Sequence, residues 1–127
     1  MITEDYCSFE VAKLLKEKGF DEYSLKNYWS SDKELHDWKW ELSYNKNSDG
    51  NRNTKDCAAP THQMAMKWLR EVHNIDICAF PYQADYILYS YNVKIYKDKE
   101  IYLTITDSKT YEESVEIAIK YCLKNLI

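Results

Sequence analysis

Apolar and polar side chains alternate along several segments of the chain, which is the pattern of half-buried β-strands. The alternation is strict over residues 38–44, and it recurs over residues 87–95 and 101–105. A shorter apolar run, residues 75–80, ends at Pro81, which cannot donate a backbone hydrogen bond within a sheet. Because the last three segments follow one another with short connections, they predict an antiparallel meander.

End signals predict the first and the last helix as clearly as apolar spacing does. Ser8 is a suitable N-cap for the first helix, and Gly19 provides a left-handed residue that ends it. Thr110 and Glu113 have the spacing of a capping box for the last helix. We expect a continuous buried stripe on that helix, formed by Tyr111, Val115, Ala118, Ile119, Cys122 and Leu126.

A central helix is predicted between Thr61, which can cap its start, and Asn74, which tolerates the left-handed conformation at its end. Its charged residues are spread over the remaining faces. The apolar spacing predicts that the buried face consists of Met64, Trp68, Leu69 and Val72.

Two segments lack a regular pattern. Residues 21–37 fit neither the helical nor the strand period, and the cluster S-S-D-K at 30–33 is typical of a turn, so we expect a strand followed by a turn. Residues 45–56 contain no apolar side chain and predict a polar surface loop. A single glycine without G-K-[ST] provides no phosphate-binding loop in that segment.

Three motifs resemble a family of small uncharacterised proteins of bacteriophages, prophages and mobile elements of gut bacteria. The motif P-T-x-Q at 60–63 is followed by K-W-L-R-E-V-H-N-I at 67–75. S-F-E-V-A-K-L-L-K-E-K-G-F-D-E at 8–22 is similar to the first helix of that family, and T-Y-E-E-S-V-E-I-A-I-K-Y-C-L at 110–123 to its last. Residues 23–58 show no such resemblance. The resemblance implies a phage or mobile-element origin and life inside a bacterium, and it supplies no catalytic residues.

Length and composition describe an ordered globular protein. The chain has 127 residues, of which 45% are hydrophobic and 30% charged, with only two Gly and two Pro. This length suits a single domain, so residues 1–127 are expected to form one core. Twelve Tyr and four Trp fit half-buried sheet faces, and they are also the residues that binding surfaces favour.

Net charge and the amino-terminal pattern bear on partners and location. A formal charge of −4 and a pI near 5.4 disfavour general binding to nucleic acid, because no basic patch compensates them. The first residues, M-I-T-E-D, contain no basic or apolar signal region, and no apolar run approaches the length of a membrane span. We therefore expect a cytoplasmic protein without a membrane partner.

The cysteines are expected to be reduced thiols, because no C-x-x-C pair occurs. Cys78 and Cys122 lie in apolar patterns and are predicted to be core residues, whereas Cys57 lies beside the polar loop and is predicted to be exposed. Cys57, His62 and Asp56 are close enough in sequence to suggest a thiol hydrolase, but their proximity is more simply incidental.

Metal binding and DNA recognition by a helix-turn-helix are both disfavoured by spacing. No two His residues stand four apart on one helix, so no metal site and no cofactor are expected. The first helix is not followed by a second helix with a basic face, as a helix-turn-helix regulator requires.

These patterns predict an α+β fold with an antiparallel sheet of about four strands and three helices packed mainly on one face. No catalytic residues are assigned. The function expected is a non-enzymatic interaction module that binds a host or phage protein, with a homo-oligomer possible. Its interaction residues are expected to be Trp29, Tyr86 and Tyr102, aromatics off the predicted buried stripes. The alternative is an accessory protein that stacks single-stranded nucleic acid on the same rings.

Overall fold

The computed structural model describes residues 1–37, 46–48, 56–84 and 87–127. It confirms the α+β class, with three helices. The described strands form two three-stranded antiparallel sheets, which does not quite match the expectation of about four strands in one sheet. The predicted strand at 38–44 lies outside the described residues. In chain order the elements are α1 (Phe9–Glu17), β1 (Lys26–Tyr28), β2 (Leu35–Asp37), β3 (Cys57–Ala59), α2 (His62–His73), β4 (Ile75–Ala84), β5 (Ile87–Lys97), β6 (Glu100–Ser108) and α3 (Tyr111–Asn125).

The chain divides into two compact units, Met1–Met64 and Ala65–Ile127, and the boundary falls within α2. The expectation that residues 1–127 form one domain stays a prediction. None of the helices in the described residues is both long enough and apolar enough to cross a membrane.

In the first unit, the three short strands are arranged in the order β2-β1-β3. The hairpin of β1 and β2 lies within residues 21–37, which fitted neither the helical nor the strand period. Strands of only three residues are too short to show a periodic pattern. Helix α1 contacts β3. Its buried residues are Val11, Ala12 and Leu15, and the predicted N-cap Ser8 accepts a hydrogen bond from the backbone N–H of Val11.

Strand β3 was not predicted, and the side chain of a polar residue outside the strand is hydrogen-bonded to its backbone. The Asn47 side chain donates to the Phe20 carbonyl at 2.7 Å and accepts from the Ala58 N–H at 2.8 Å. Asn47 therefore links the end of α1 to β3. The described part of the predicted polar loop is bound to the unit by such hydrogen bonds, which composition alone does not reveal.

In the second unit, β4, β5 and β6 form the expected meander. The turn between β5 and β6 consists of Asp98 and Lys99, both with positive φ, as a two-residue type I′ turn requires. β4 continues through Pro81 to Ala84, beyond its predicted end. β4 is an edge strand, where a missing N–H removes no ladder hydrogen bond.

Helix α3 contacts all three strands of this sheet. Its Tyr111 ring meets the Tyr91 ring edge to face at 6.2 Å, and Lys97 donates to the Leu126 carbonyl at the end of the helix. Thr110 accepts from the Glu113 N–H at 3.0 Å, and the Glu113 carboxylate accepts from the Lys109 N–H. The predicted cap is therefore confirmed, although its return bond reaches Lys109.

Helix α2 has the predicted ends, and Trp68 and Leu69 are buried as predicted, but the rest of the predicted face is not. Asn74 has a φ of 54°, in the left-handed region expected after a helix. Met64 and Val72, which were expected in the core, are exposed. The buried positions are His62, Ala65, Met66, Trp68 and Leu69. These positions have helical spacing. Because His62 is polar and Ala65 is small, the stripe does not stand out as apolar in the sequence.

Candidate interaction surfaces

Trp29, the first predicted interaction residue, already makes a stacking contact within the first unit. Its ring lies parallel to that of His36, with 3.7 Å between centroids and 15° between planes. His36 Nε2 lies 2.8 Å from the Asp32 carboxylate. A hydrogen bond from the Glu34 N–H, and then the interaction with His36, lower the pKa of Asp32. One face of Trp29 is thus occupied by the hairpin, and the ring is half-buried.

Tyr86 lies outside the described residues. Tyr102, by contrast, is 52% exposed on β6, which lies at the edge of the second sheet among the strands that the structure describes. A register shift places it there: Ile95 pairs with Leu103 and Tyr96 with Ile101, so Tyr102 has no directly opposite residue on β5. Such a bulge redirects a side chain.

The ring of Tyr102 lies against α3. It meets Tyr121 at 6.5 Å between centroids with the planes tilted by 51°. Ile117 is exposed one helical turn before Tyr121 and so lies on the same side of the helix. We call Tyr102, Ile117 and Tyr121 the Tyr102 surface. The exposed Ile101 precedes it in the chain.

The titration of Tyr121 reflects this contact. Partial desolvation raises its pKa, and the neighbouring Tyr102 adds to the effect through its charge and a hydrogen bond. The Tyr121 phenol is therefore neutral at pH 7, and the Tyr102 surface presents aromatic rings that carry hydroxyl groups. This is the composition that Tyr-rich binding surfaces use.

The second sheet carries another group of aromatic residues on the opposite face. Cys78 on β4 lies opposite Lys94 on β5, and Phe80 is the next residue of β4 on that face. The Lys94 ammonium lies 5.4 Å from the centroid of the Phe80 ring. Tyr82 follows on the same side and is exposed. We call Phe80, Tyr82 and Lys94 the Phe80 face.

The cysteines reverse two predictions. Cys57, expected to be exposed, is fully buried in β3, and Cys78, expected in the core, is exposed. Cys122 is buried as predicted. Cys78 faces solvent on its strand. Because most residues at 75–80 are apolar, the sequence does not show which of them face solvent.

Burial raises the pKa of Cys57 to about 11, with smaller effects of neighbouring lysines and Asp56. At pH 7 this thiol is protonated, and the neutral thiol is a poor nucleophile. The arrangement of Cys57, His62 and Asp56 therefore lacks the thiolate that a hydrolase of this type needs.

Thiol labelling should separate the cysteines cleanly. At pH 7.5 a maleimide should modify the native protein once, at Cys78, because Cys7, Cys57 and Cys122 are buried. In denaturant it should modify all four. Intact mass with peptide mapping measures the number and position of the labels, and a Cys78→Ser variant, expected to remain unlabelled when native, is the control. Rapid native labelling at Cys57 would contradict the structure.

Comparisons with known protein families, with curated proteins and with solved structures give no match. The resemblance to small phage proteins therefore stays a prediction. Arguments about function rest on the surfaces of this chain itself.

Proposed function

We propose that this protein is a non-enzymatic protein-interaction module, an accessory protein of a phage or mobile element acting in the bacterial cytoplasm. The observation that carries the proposal is the Tyr102 surface, where the exposed Tyr102 and Ile117 accompany the half-buried ring of Tyr121. Binding energy at protein interfaces concentrates on aromatic residues of this kind.

The edge position of β6 supports the proposal. An edge strand presents unpaired N–H and C=O groups, which a partner can use for strand addition. Residues 101–106 of β6, I-Y-L-T-I-T, include no charge and no proline. Charges and prolines are the usual protection of an exposed edge. Their absence fits an edge that a partner strand covers.

The proposal predicts that Tyr102→Ala combined with Tyr121→Ala weakens partner binding at least about tenfold, since aromatic anchors commonly contribute 2 kcal/mol or more. The wild type and the variant would be affinity-purified from the bacterial host at low salt and examined by native mass spectrometry. The partner captured by the wild type would then be titrated against each protein.

Tyr82→Ala is the matched control, because it removes an equally exposed ring from a different strand of the same sheet. Circular dichroism would verify that each variant is folded. Full binding by the double variant would refute the choice of this surface. A wild type that carries no protein partner would count against the function itself.

The Phe80 face favours a second candidate function, the binding of single-stranded nucleic acid. Bases stack on exposed aromatic rings, and a lysine beside them can contact phosphate. The net charge of −4 opposes this function at long range. Fluorescence anisotropy with a dT oligonucleotide at low salt tests it. Steeply salt-dependent binding that Lys94→Ala weakens would favour this candidate, and no binding at low salt would remove it.

A further inference from the structure

The first unit contains a cleft of about 200 Å³ that the proposed function does not use. Its base includes the buried residues Ala59 and Pro60, and Tyr6 and Tyr23 stand among its walls. Exposed Leu25, Met64 and Glu4 also line it. Small-molecule sites usually measure roughly 300–1,000 Å³, so this cleft suits a single side chain better than a cofactor.

Backbone hydrogen bonds hold one wall of the cleft. Tyr6 is bridged to Thr61 in antiparallel fashion, and the Cys7 N–H donates to the Pro60 carbonyl at 2.9 Å. The His62 N–H donates to the Asp5 carbonyl at 2.9 Å. The segment that contains Glu4 and Tyr6 is therefore held against the start of α2, and the cleft is preformed.

Acidic residues precede both tyrosines. The sequence reads E-D-Y at 4–6 and D-E-Y at 21–23. The four acidic residues of these triplets are exposed, and Glu4 itself lines the cleft. The fold brings the two tyrosines and Glu4 to one cleft, which the sequence alone does not show.

Lysines of the same unit already lie over both rings. The Lys26 ammonium is 5.7 Å from the centroid of Tyr6, and the Lys46 ammonium is 5.2 Å from that of Tyr23. Tyrosine rings attract cations through their negative faces. Both rings therefore already attract a cation of the chain itself, and a ligand cation would stack in place of that lysine or on the other ring face.

Carboxylates other than Glu4 offset these two lysines. Lys26 lies 3.5 Å from Asp37. The pKa of Asp21 is lowered: partial desolvation opposes the change, but hydrogen bonds from Ser48 and the charge of Lys46 outweigh it. Glu4 is the acidic residue that lines the cleft, and Asp5, Asp21 and Glu22 lie close to lining residues in the chain, so the charge of the neighbourhood favours a cationic ligand.

We propose that this cleft binds an arginine side chain presented by a partner polypeptide. A guanidinium can stack on a tyrosine ring while it donates to a carboxylate, and it is more weakly hydrated than an ammonium. The aliphatic part of arginine would contact Leu25 and Met64. The site is independent of the Tyr102 surface, so each can fail without the other.

The test uses the full chain and the probe N-acetyl-arginine-amide. Two-dimensional ¹⁵N NMR should show saturable shifts at the amides of Tyr6, Ser24 and Leu25, with a dissociation constant in the millimolar range expected of one side chain, about 1–10 mM. N-acetyl-citrulline-amide, which has nearly the same shape without the charge, should bind at least about tenfold more weakly.

Two variants connect the binding to the cleft. Glu4→Gln removes the lining carboxylate and should weaken arginine binding about tenfold, as expected of one charged hydrogen bond. Tyr23→Leu removes an exposed ring and should also weaken it. Glu34→Gln is the matched control: it removes an exposed charge from the same unit outside the cleft and should leave binding within about twofold.

Several results would overturn the proposal. They are a lack of saturation, equal binding of citrulline, shifts centred away from the cleft, or an equal loss in Glu34→Gln. Binding of the arginine probe that Glu4→Gln weakens and Glu34→Gln does not would establish the site, whatever partner the Tyr102 surface proves to have.

Discussion

Replacing Ile95 with Ala should lower the free energy of unfolding by about 2–5 kcal/mol, the usual cost of truncating a buried isoleucine. Ile95 is fully buried in β5, the central strand of the second sheet, between Ile77 and Leu103 on its two neighbours. Because the space vacated by the Ile95 side chain is buried among apolar residues, water does not fill it and a cavity remains. Urea denaturation followed by tryptophan fluorescence measures the change.

Ile101→Ala is the matched control for this prediction. It makes the same chemical change in a neighbouring strand of the same sheet, but Ile101 is 61% exposed. Its stability change should stay within about 0.5 kcal/mol. Similar losses in the two variants would mean that Ile101 is covered, for example by a second copy of the chain, and dilution of the protein would then reduce the cost of Ile101→Ala.

Raising the pH from 8 to 10 should lower the free energy of unfolding by about 2–3 kcal/mol through two buried thiols. Burial raises the pKa of Cys57 from its ordinary 9.0 to about 11, and that of Cys122 to about 12. The unfolded chain therefore loses these protons first as the pH rises. Their stabilisation is complete below pH 9 and is lost as the pH approaches the folded-state values.

Denaturation at a series of pH values measures this effect. Cys122→Ala is the informative control, because it removes one of the two thiols. The variant starts less stable, since a buried side chain is shortened, but its further loss between pH 8 and 10 should be about half that of the wild type. A wild type equally stable at pH 8 and 10 would contradict the burial of both thiols.

The two proposed surfaces require different partner chemistry. The Tyr102 surface offers neutral rings at an open strand edge, which suits an apolar, extended segment. The cleft offers tyrosine rings and the Glu4 carboxylate, which suits a cation. A protein partner can supply both from one polypeptide, whereas a polyphosphate is disfavoured by the acidic cleft. For this reason protein binding remains our leading proposal over nucleic-acid binding.

Local chemistry explains why the helix ends and the meander were predictable. Ser8, Asn74 and Thr110 act through groups only a few residues away, so their roles are already determined by neighbouring sequence. Strands β4 to β6 are long enough to show a period of two, and short connections leave few ways to pair them. The buried stripe of α3 follows from the same kind of regular spacing.

The remaining features depended on contacts between residues far apart in sequence. Strand β3 has only three residues, and it is held by β1, α1 and Asn47, none of which its own sequence specifies. The same holds for Cys57 and Cys78, whose exposure depends on which side of a strand another element covers. The buried side of α2 was predicted only in part, because the buried His62 and Ala65 contribute little to an apolar pattern.

The sequence by itself determined the α+β class, the three helices and the order of the strands in the meander, because propensity, capping and periodicity act over short distances. It also identified Tyr102 as a residue off the buried stripes. Only the tertiary structure brought Tyr121 to Tyr102, and Tyr6 and Glu4 to Tyr23, because such pairs are separated by many residues and meet through packing alone.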